Sequence, residues 1–197
     1  GQGAAPNIIV SVDNSTSMGS TGIAALKAAL RATFSATNLP DNKIRLAWQA
    51  MHGCNAIPGS NTSTNGPCRG YNGMRRFSGA HRTQFNNWVE SIASVRGTPT
   101  HWVMKNAGDY LSATSLGVNS PWAYNPGTDE SPVLACRRSY HILMTDGEYG
   151  HSAWNAPSPF KERDMSGPDG VRIVRGGNAD GSDTTLPDGT RYSITNE

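Results

Sequence analysis

The 197-residue chain has no apolar run approaching the roughly 20 residues of a membrane-spanning helix. Its Gly-Gln-Gly-Ala start lacks the charged and apolar regions of a signal peptide, so it reads as a mature or excised segment. No Gly-x-x-x-x-Gly-Lys-Ser/Thr loop occurs, which argues against a nucleotide-driven motor. The five histidines, His52, His81, His101, His141 and His151, have no zinc-ligand spacing and read as structural. Gly150-His151-Ser152-Ala153 is only half of a nucleophile elbow, because Trp154 stands where the second glycine belongs. No base and nucleophile are paired in a motif, and the chain is not read as an enzyme. The 17 basic and 15 acidic residues form no long block of one sign, so nucleic acid is not the expected partner.

Cysteine is also scarce, with three residues. Cys54 and Cys68 flank CNAIPGSNTSTNGPC, a loop with little apolar content to fix it. A disulfide across about 15 residues stabilises by roughly 3 kcal/mol in the chain-entropy treatment, and it implies an oxidising compartment. Cys136 is left odd, either a buried thiol or half of a bridge to a segment outside the chain. Aromatics make up 8% of the residues, whereas 22 glycines and 12 prolines accompany abundant Ser, Thr and Asn. One compact domain with long loops fits this length and composition.

What is present alternates. NIIVSV (residues 7–12) is a short β-branched run that suits a strand buried on both faces, and it stops at Asp13. The loop DNSTSMGST leads into Ile23, Leu26, Leu30 and Phe34 at helical spacing, with Gly19 where the chain must turn tightly. Residues 43–51 set Ile44, Leu46, Trp48 and Ala50 against Lys43, Arg45 and Gln49, the pattern of a half-covered strand. Phe85, Trp88, Val89 and Ile92 form a helical stripe. In RGTPTHWVMKNAGDYL, Thr98 is expected to cap a helix with Pro99 in its first turn and Trp102, Val103, Ala107, Tyr110 and Leu111 on its buried face. A Pro- and Gly-rich passage separates that helix from YHILMT (residues 140–145), a second apolar strand ending at an aspartate, Asp146. Toward the carboxyl end, VRIV and RYSI read as short strands joined by GGNADGSDTTLPDGT. Asn178, Asp180, Asp183 and Asp188 in and beside that joint miss the calcium-loop spacing and read as turn residues. Alternation of strands with helices predicts a mostly parallel sheet covered on both faces, with ligands at the carboxyl ends of its strands.

Asp13, Ser15 and Ser17 form Asp-x-Ser-x-Ser between a buried strand and an amphipathic helix. One carboxylate and two hydroxyls are hard oxygen donors, suited to Mg²⁺, Mn²⁺ or Ca²⁺ rather than zinc. Asp146 adds a second carboxylate at the same sheet edge, where two acids about 6 Å apart repel by roughly 3 kcal/mol at an effective dielectric near 20. A divalent cation removes that repulsion. From spacing alone a second reading stays open: Asp13 and Ser17 cap the helix, and Asp146 sits in a turn.

Strand, DNSTSMGS, helix, GTPT and ILMTDGE together resemble the von Willebrand factor A (vWA) family. The segments RLAWQAM, FSGAHRTQFNNWVESI, GTPTHWVMKNAGDYL, NSPWAYNPGT, CRRSYHILMTDGEYG and LPDGTRYS further resemble, in order, the amino-terminal domain of type IV pilus tip adhesins and pilus-biogenesis factors. The resemblance implies an α/β, Rossmann-like vWA domain in three layers over residues 1–197, with the disulfide loop inserted at about 52–70. A turn-rich part follows at about 150–197, where the last strands and helix of the fold are missing or rebuilt. It also implies a metal-ion-dependent adhesion site (MIDAS) for one divalent cation, Mg²⁺ first. Ser15 and Ser17 would bind directly, Thr98 directly or through water, and Asp13 and Asp146 mainly through waters, while Thr100 faces the helix. The remaining position would take an acidic group of a partner, either a protein ligand or host surface receptor offering a carboxylate, or a minor pilin at the pilus tip. The location implied is extracellular, at the pilus tip or associated with the outer membrane.

Overall fold

The computed structural model describes residues 4–59, 68, 70–134, 136–146, 184–185 and 191–192. Gly150 to Trp154, VRIV and the whole GGNADGSD turn lie outside the described residues, as does the middle of the cysteine loop.

Six strands and three α-helices are described. In chain order they are β1 (Asn7–Val12), α1 (Gly19–Thr33), β2 (Arg45–Ala50), β3 (Arg75–Arg76), α2 (Gly79–Ser91), α3 (Thr100–Ser112), β4 (Ser139–Met144), β5 (Thr184–Thr185) and β6 (Arg191–Tyr192). The first four strands form one sheet in the order β3-β2-β1-β4. Within it β1 runs parallel to both β2 and β4, and β3 is antiparallel to β2. The fold is therefore α/β with a mostly parallel sheet, as the alternation implies.

Side chains alternate across β1 and β2. Val10, Val12, Leu46, Trp48 and Ala50 pack with Ile23, Leu26, Leu30 and Phe34 of the α1 segment and with Phe85, Trp88 and Val89 of α2. Ile9 and Ala47 face the other way, onto Ala107 and Tyr110 of α3. These are three layers: α1 and α2, the sheet, and α3. An aromatic cluster fills the first interface, with Phe85 in contact with Phe34, Trp48, Phe77 and Trp88 at centroid separations of 5.1 to 5.7 Å.

Several expectations need correcting. β2 is buried on both faces rather than one. Arg45 is 1% exposed because its Nη atoms donate to the carbonyls of Ala123 and Pro121, and the Gln49 amide donates to Ser11 Oγ and the Val103 carbonyl. Polar residues thus hold the second face through hydrogen bonds to distant carbonyls and a hydroxyl, which a hydropathy pattern does not register. β4 is less covered than an apolar run suggests, with Ile142 40% exposed and Tyr140 also exposed. On α3, Val103, Ala107 and Tyr110 are buried, but Trp102 is exposed. Thr98 does not cap α3: the helix starts at Thr100, with Pro99 at the cap position and no side-chain cap bond. β5 pairs antiparallel with β6, so RY finds its partner in Thr184–Thr185, inside the stretch read as a connector. Cys54 and Cys68 are disulfide-bonded across 14 residues, whereas Cys136 is a free, exposed thiol rather than a buried one.

Buried His81 donates from Nε2 to the Leu46 carbonyl at 2.7 Å and stacks against Trp48. Burial is the main cause that brings its pKa down from 6.5 to about 4. The neutral ring is then the folded form, and its stabilisation is complete above the unfolded pKa and lost as pH falls toward the folded one. Between pH 6.5 and 4 this group is expected to withdraw about 3 kcal/mol, at 1.36 kcal/mol per unit. Urea unfolding across that window, compared with His81→Gln, reads the difference; parallel pH profiles of the two proteins would refute it.

Candidate functional site

The site lies where β1 and β4 end side by side. Their register pairs Val12 with Met144, and the ladder runs one step further as Asp13 N–H donates to the Met144 carbonyl at 2.8 Å. Asp13 and Asp146 consequently leave the same sheet edge from neighbouring strands. This is also where strand order reverses, since β2 lies on one side of β1 and β4 on the other, and such a crevice is where open α/β sheets place ligands.

Asp13 is 0% exposed. Its Oδ1 accepts the Ser15 N–H at 2.8 Å, which closes the loop as an Asx-turn, and its Oδ2 accepts the Thr145 hydroxyl at 2.8 Å. Burial alone would raise its pKa. That effect is outweighed by donation from the Ser15 hydroxyl and N–H and then from Thr145, so the carboxyl is held below its usual value of 3.8. Ser15 Oγ and Ser17 Oγ share a hydrogen bond of 3.0 Å.

The capping alternative does not hold. Ser15 occupies the cap position of a short 3-10 turn, Thr16–Met18, and Met18 that of α1, and neither makes a side-chain cap bond. Gly19 carries the turn between them at φ 56°, in the region that favours glycine. The serine hydroxyls face each other instead of the helix end. Asp13 and Ser15 form a buried floor, while Ser17 and Asp146 are exposed at its rim. Each bonded carboxylate oxygen of Asp13 retains a lone pair for a further donor.

Thr98 is half-buried in the segment joining α2 to α3, and its visible bond is through the backbone, its carbonyl accepting Thr100 N–H at 2.9 Å. No hydrogen bond among the described residues joins the Thr98 hydroxyl to the other four candidates. The segment itself does adjoin the Asp13–Met18 loop: the Arg96 carbonyl accepts both the N–H and the hydroxyl of Thr16, and Ser94 Oγ donates to the Ser15 carbonyl. Thr100 Oγ1 is a buried oxygen without a partner.

Sequence reasoning passed over Asn14, Thr145 and His52. Asn14 is buried, donates to the carbonyls of His52 and Ala93, and accepts His52 N–H. His52 Nε2 donates to the Gly97 carbonyl at 2.6 Å, one residue before Thr98. Asn14 and His52 therefore pin three loops together. The signal available was an amide directly after a strand-ending Asp, which is too common to single out. Among the described residues there is no cluster of three or more His, Cys, Asp or Glu side chains; the set here is two carboxylates with hydroxyls.

The chain is homologous over most of its length to curated type IV pilus biogenesis factors named PilY1. It is 41% identical over 157 residues to that of Pseudomonas aeruginosa strain PAK and 38% over 156 residues to that of strain PAO1. It is 31% identical over 155 residues to the protein of strain UCBPP-PA14. Each match covers 79% of this chain but only 10 to 11% of the relative. No protein-family model matches the chain, and no solved structure does.

Because Asn14 satisfies three backbone groups at once, Asn14→Ala is expected to lower stability by about 2–3 kcal/mol. Thr16→Ala, which removes one exposed hydroxyl bond, is expected to cost less than about 1 kcal/mol. Denaturant midpoints of the two variants test this, and equal losses would show that Asn14 is not the tie.

Proposed function

We propose that this chain is the metal-ion-dependent ligand-binding module of a type IV pilus tip-associated protein. In this reading it is a vWA-type domain whose MIDAS is built on Asp13, Ser15, Ser17, Thr98 and Asp146. The observation that carries it is the convergence of Asp13, Ser15, Ser17 and Asp146 at one strand-end crevice, with hydroxyls not used for capping.

The donors fit a hard divalent cation, Mg²⁺ first and Mn²⁺ or Ca²⁺ after it. All are oxygens, and the buried carboxylate is kept ionised by its hydrogen bonds. When bound, the ion supplies a positive position that an acidic group of a partner can complete. Asp13 orients the Ser15 backbone, and Ser15 and Ser17 present adjacent hydroxyl oxygens. Asp146 and Ser17, both exposed, form the rim that a partner reaches. The segment carrying Thr98 continues into α3 and is bonded to the Asp13–Met18 loop, so a change in how Thr98 engages the site shifts a helix. That is a two-state element through which ligand or tension acts.

The partner is a protein ligand or host surface receptor offering a carboxylate, and the domain works without catalysis at the cell surface. No helix of the described residues is long and apolar enough to cross a membrane. A second reading is favoured by the relatives' being pilus biogenesis factors: the same site grips a minor pilin or another pilus component during assembly or force sensing. Attachment of purified domain to host cells or matrix distinguishes adhesion from that role, in which only pilus proteins are retained.

Calorimetric titration with Mg²⁺, Mn²⁺ and Ca²⁺ is expected to give one saturable site. Asp13→Ala and Asp146→Ala should each weaken it by at least about tenfold, on the scale of losing a partner that orients or binds the ion. Unchanged binding in both variants would remove the site.

A further inference from the structure

The opposite end of the sheet, about 20 Å away along six-residue strands, concentrates positive charge. Arg45 opens β2 and is paired in register with Arg76 of β3. Arg137 lies just before β4 and donates from one Nη to the Ala5 carbonyl. All three line a cavity of about 240 Å³ whose wall also includes Asn42 and Tyr124. Like charges opposite one another in a ladder are destabilising, and among the described residues no carboxylate lines this cavity or pairs with any of the three.

The guanidinium contacts are incomplete. Both Nη atoms of Arg45 are used, at 2.9 Å to Ala123 and 2.7 Å to Pro121, but its Nε is buried with no acceptor. Arg137 Nε is buried and unpaired as well. Both Nε–H groups are sealed from solvent, so what the cavity wall presents is the charge of the guanidinium groups rather than these two donors. Burial, with the neighbouring charges of Arg137 and Arg76, brings the Arg45 pKa from 12.5 to about 9, which still leaves the side chain cationic at neutral pH. The missing component is an acceptor carrying negative charge.

We propose that this cavity binds one tetrahedral oxyanion, a phosphate or sulfate group, with Arg45 and Arg137 supplying fixed positive charge in its wall and Arg76 closing the solvent side. Planar forked guanidinium donors suit such oxygens better than a point charge does. At about 240 Å³ the cavity is smaller than the 300–1,000 Å³ of sites for drug-sized ligands, so it takes a single such group. A doubly charged anion also offsets more of three positive charges than one carboxylate does. The site is at the far end of the strands from the proposed cation site and does not depend on it.

Calorimetric titration of the 197-residue chain at fixed ionic strength tests the proposal, with inorganic phosphate and glycerol 1-phosphate as separate arms. Saturable one-to-one binding of either supports it, and the tighter arm distinguishes a free ion from a group carried on a larger molecule. Arg45→Gln removes a buried tether and risks misfolding, so the informative variants are Arg76→Gln, at an exposed position, and Arg31→Gln as a charge-matched control on α1. Arg76→Gln is expected to weaken phosphate binding about tenfold or more, the scale of a charge-assisted hydrogen bond. Arg31→Gln should leave it within about twofold, since exposed distant charges are screened. Absence of saturable binding in both arms, equal losses in the two variants, or acetate binding as tightly as phosphate would overturn it.

Discussion

A carboxylate buried at the end of the central strand has to be kept charged, and much of the local structure follows from how that is done. Asp13 loses its water to the β1–β4 junction, and donors from its own loop and from the end of β4 replace it. Those donors dictate the loop's shape: the Asx-turn onto Ser15 sets the chain on a path that brings the Ser15 and Ser17 hydroxyls together. Had these serines capped α1, their oxygens would be committed. Gly19, at a positive φ, lets α1 begin without them.

The sheet is polarised from end to end. Its carboxyl end gathers Asp13 and Asp146, and its amino end gathers Arg45, Arg76 and Arg137. Between these ends β1 and β2 are buried on both faces, with aromatic packing against α1 and α2 on one side and a hydrogen-bonded polar row on the other. Gln49, Ser11 and His141 form that row, with separations of 2.8 and 2.7 Å, and it reaches α3 through the Val103 carbonyl. The first interface supplies nonspecific apolar stabilisation. The second has directional bonds that fix the position of α3, and with it the segment that carries Thr98.

Legibility in the sequence was uneven for physical reasons. β1 was readable as a short β-branched apolar run and α1 because its apolar side chains repeat with the helical period, and Phe85, Trp88, Val89 and Ile92 were read as one stripe for the latter reason. β2 was misjudged because hydropathy treats Arg45 and Gln49 as solvent-seeking, whereas both are buried and tied by hydrogen bonds to carbonyls of distant segments. Trp102 was misjudged in the opposite sense, since its place on the apolar stripe of α3 says nothing about whether another element covers it. The cap at Thr98 failed because Pro99 itself takes the cap position. Asn14 and the arginine cavity left no trace in spacing, since their partners are backbone carbonyls 38 to 132 residues away.

The sequence by itself determined the alternation of strands and helices, the oxygen-rich loop after the first strand, and the identity of the aspartates that end two strands. These follow from local periodicity and from residue chemistry, which neighbours in the chain express directly. Only the tertiary structure decided that Asp13 and Asp146 share an edge, that the serine hydroxyls are free of the helix end, and that three arginines meet without a described counter-charge. Each of these depends on strand order and on which distant carbonyl is within reach. Parallel pairing brings together residues more than a hundred positions apart, and no local pattern encodes that.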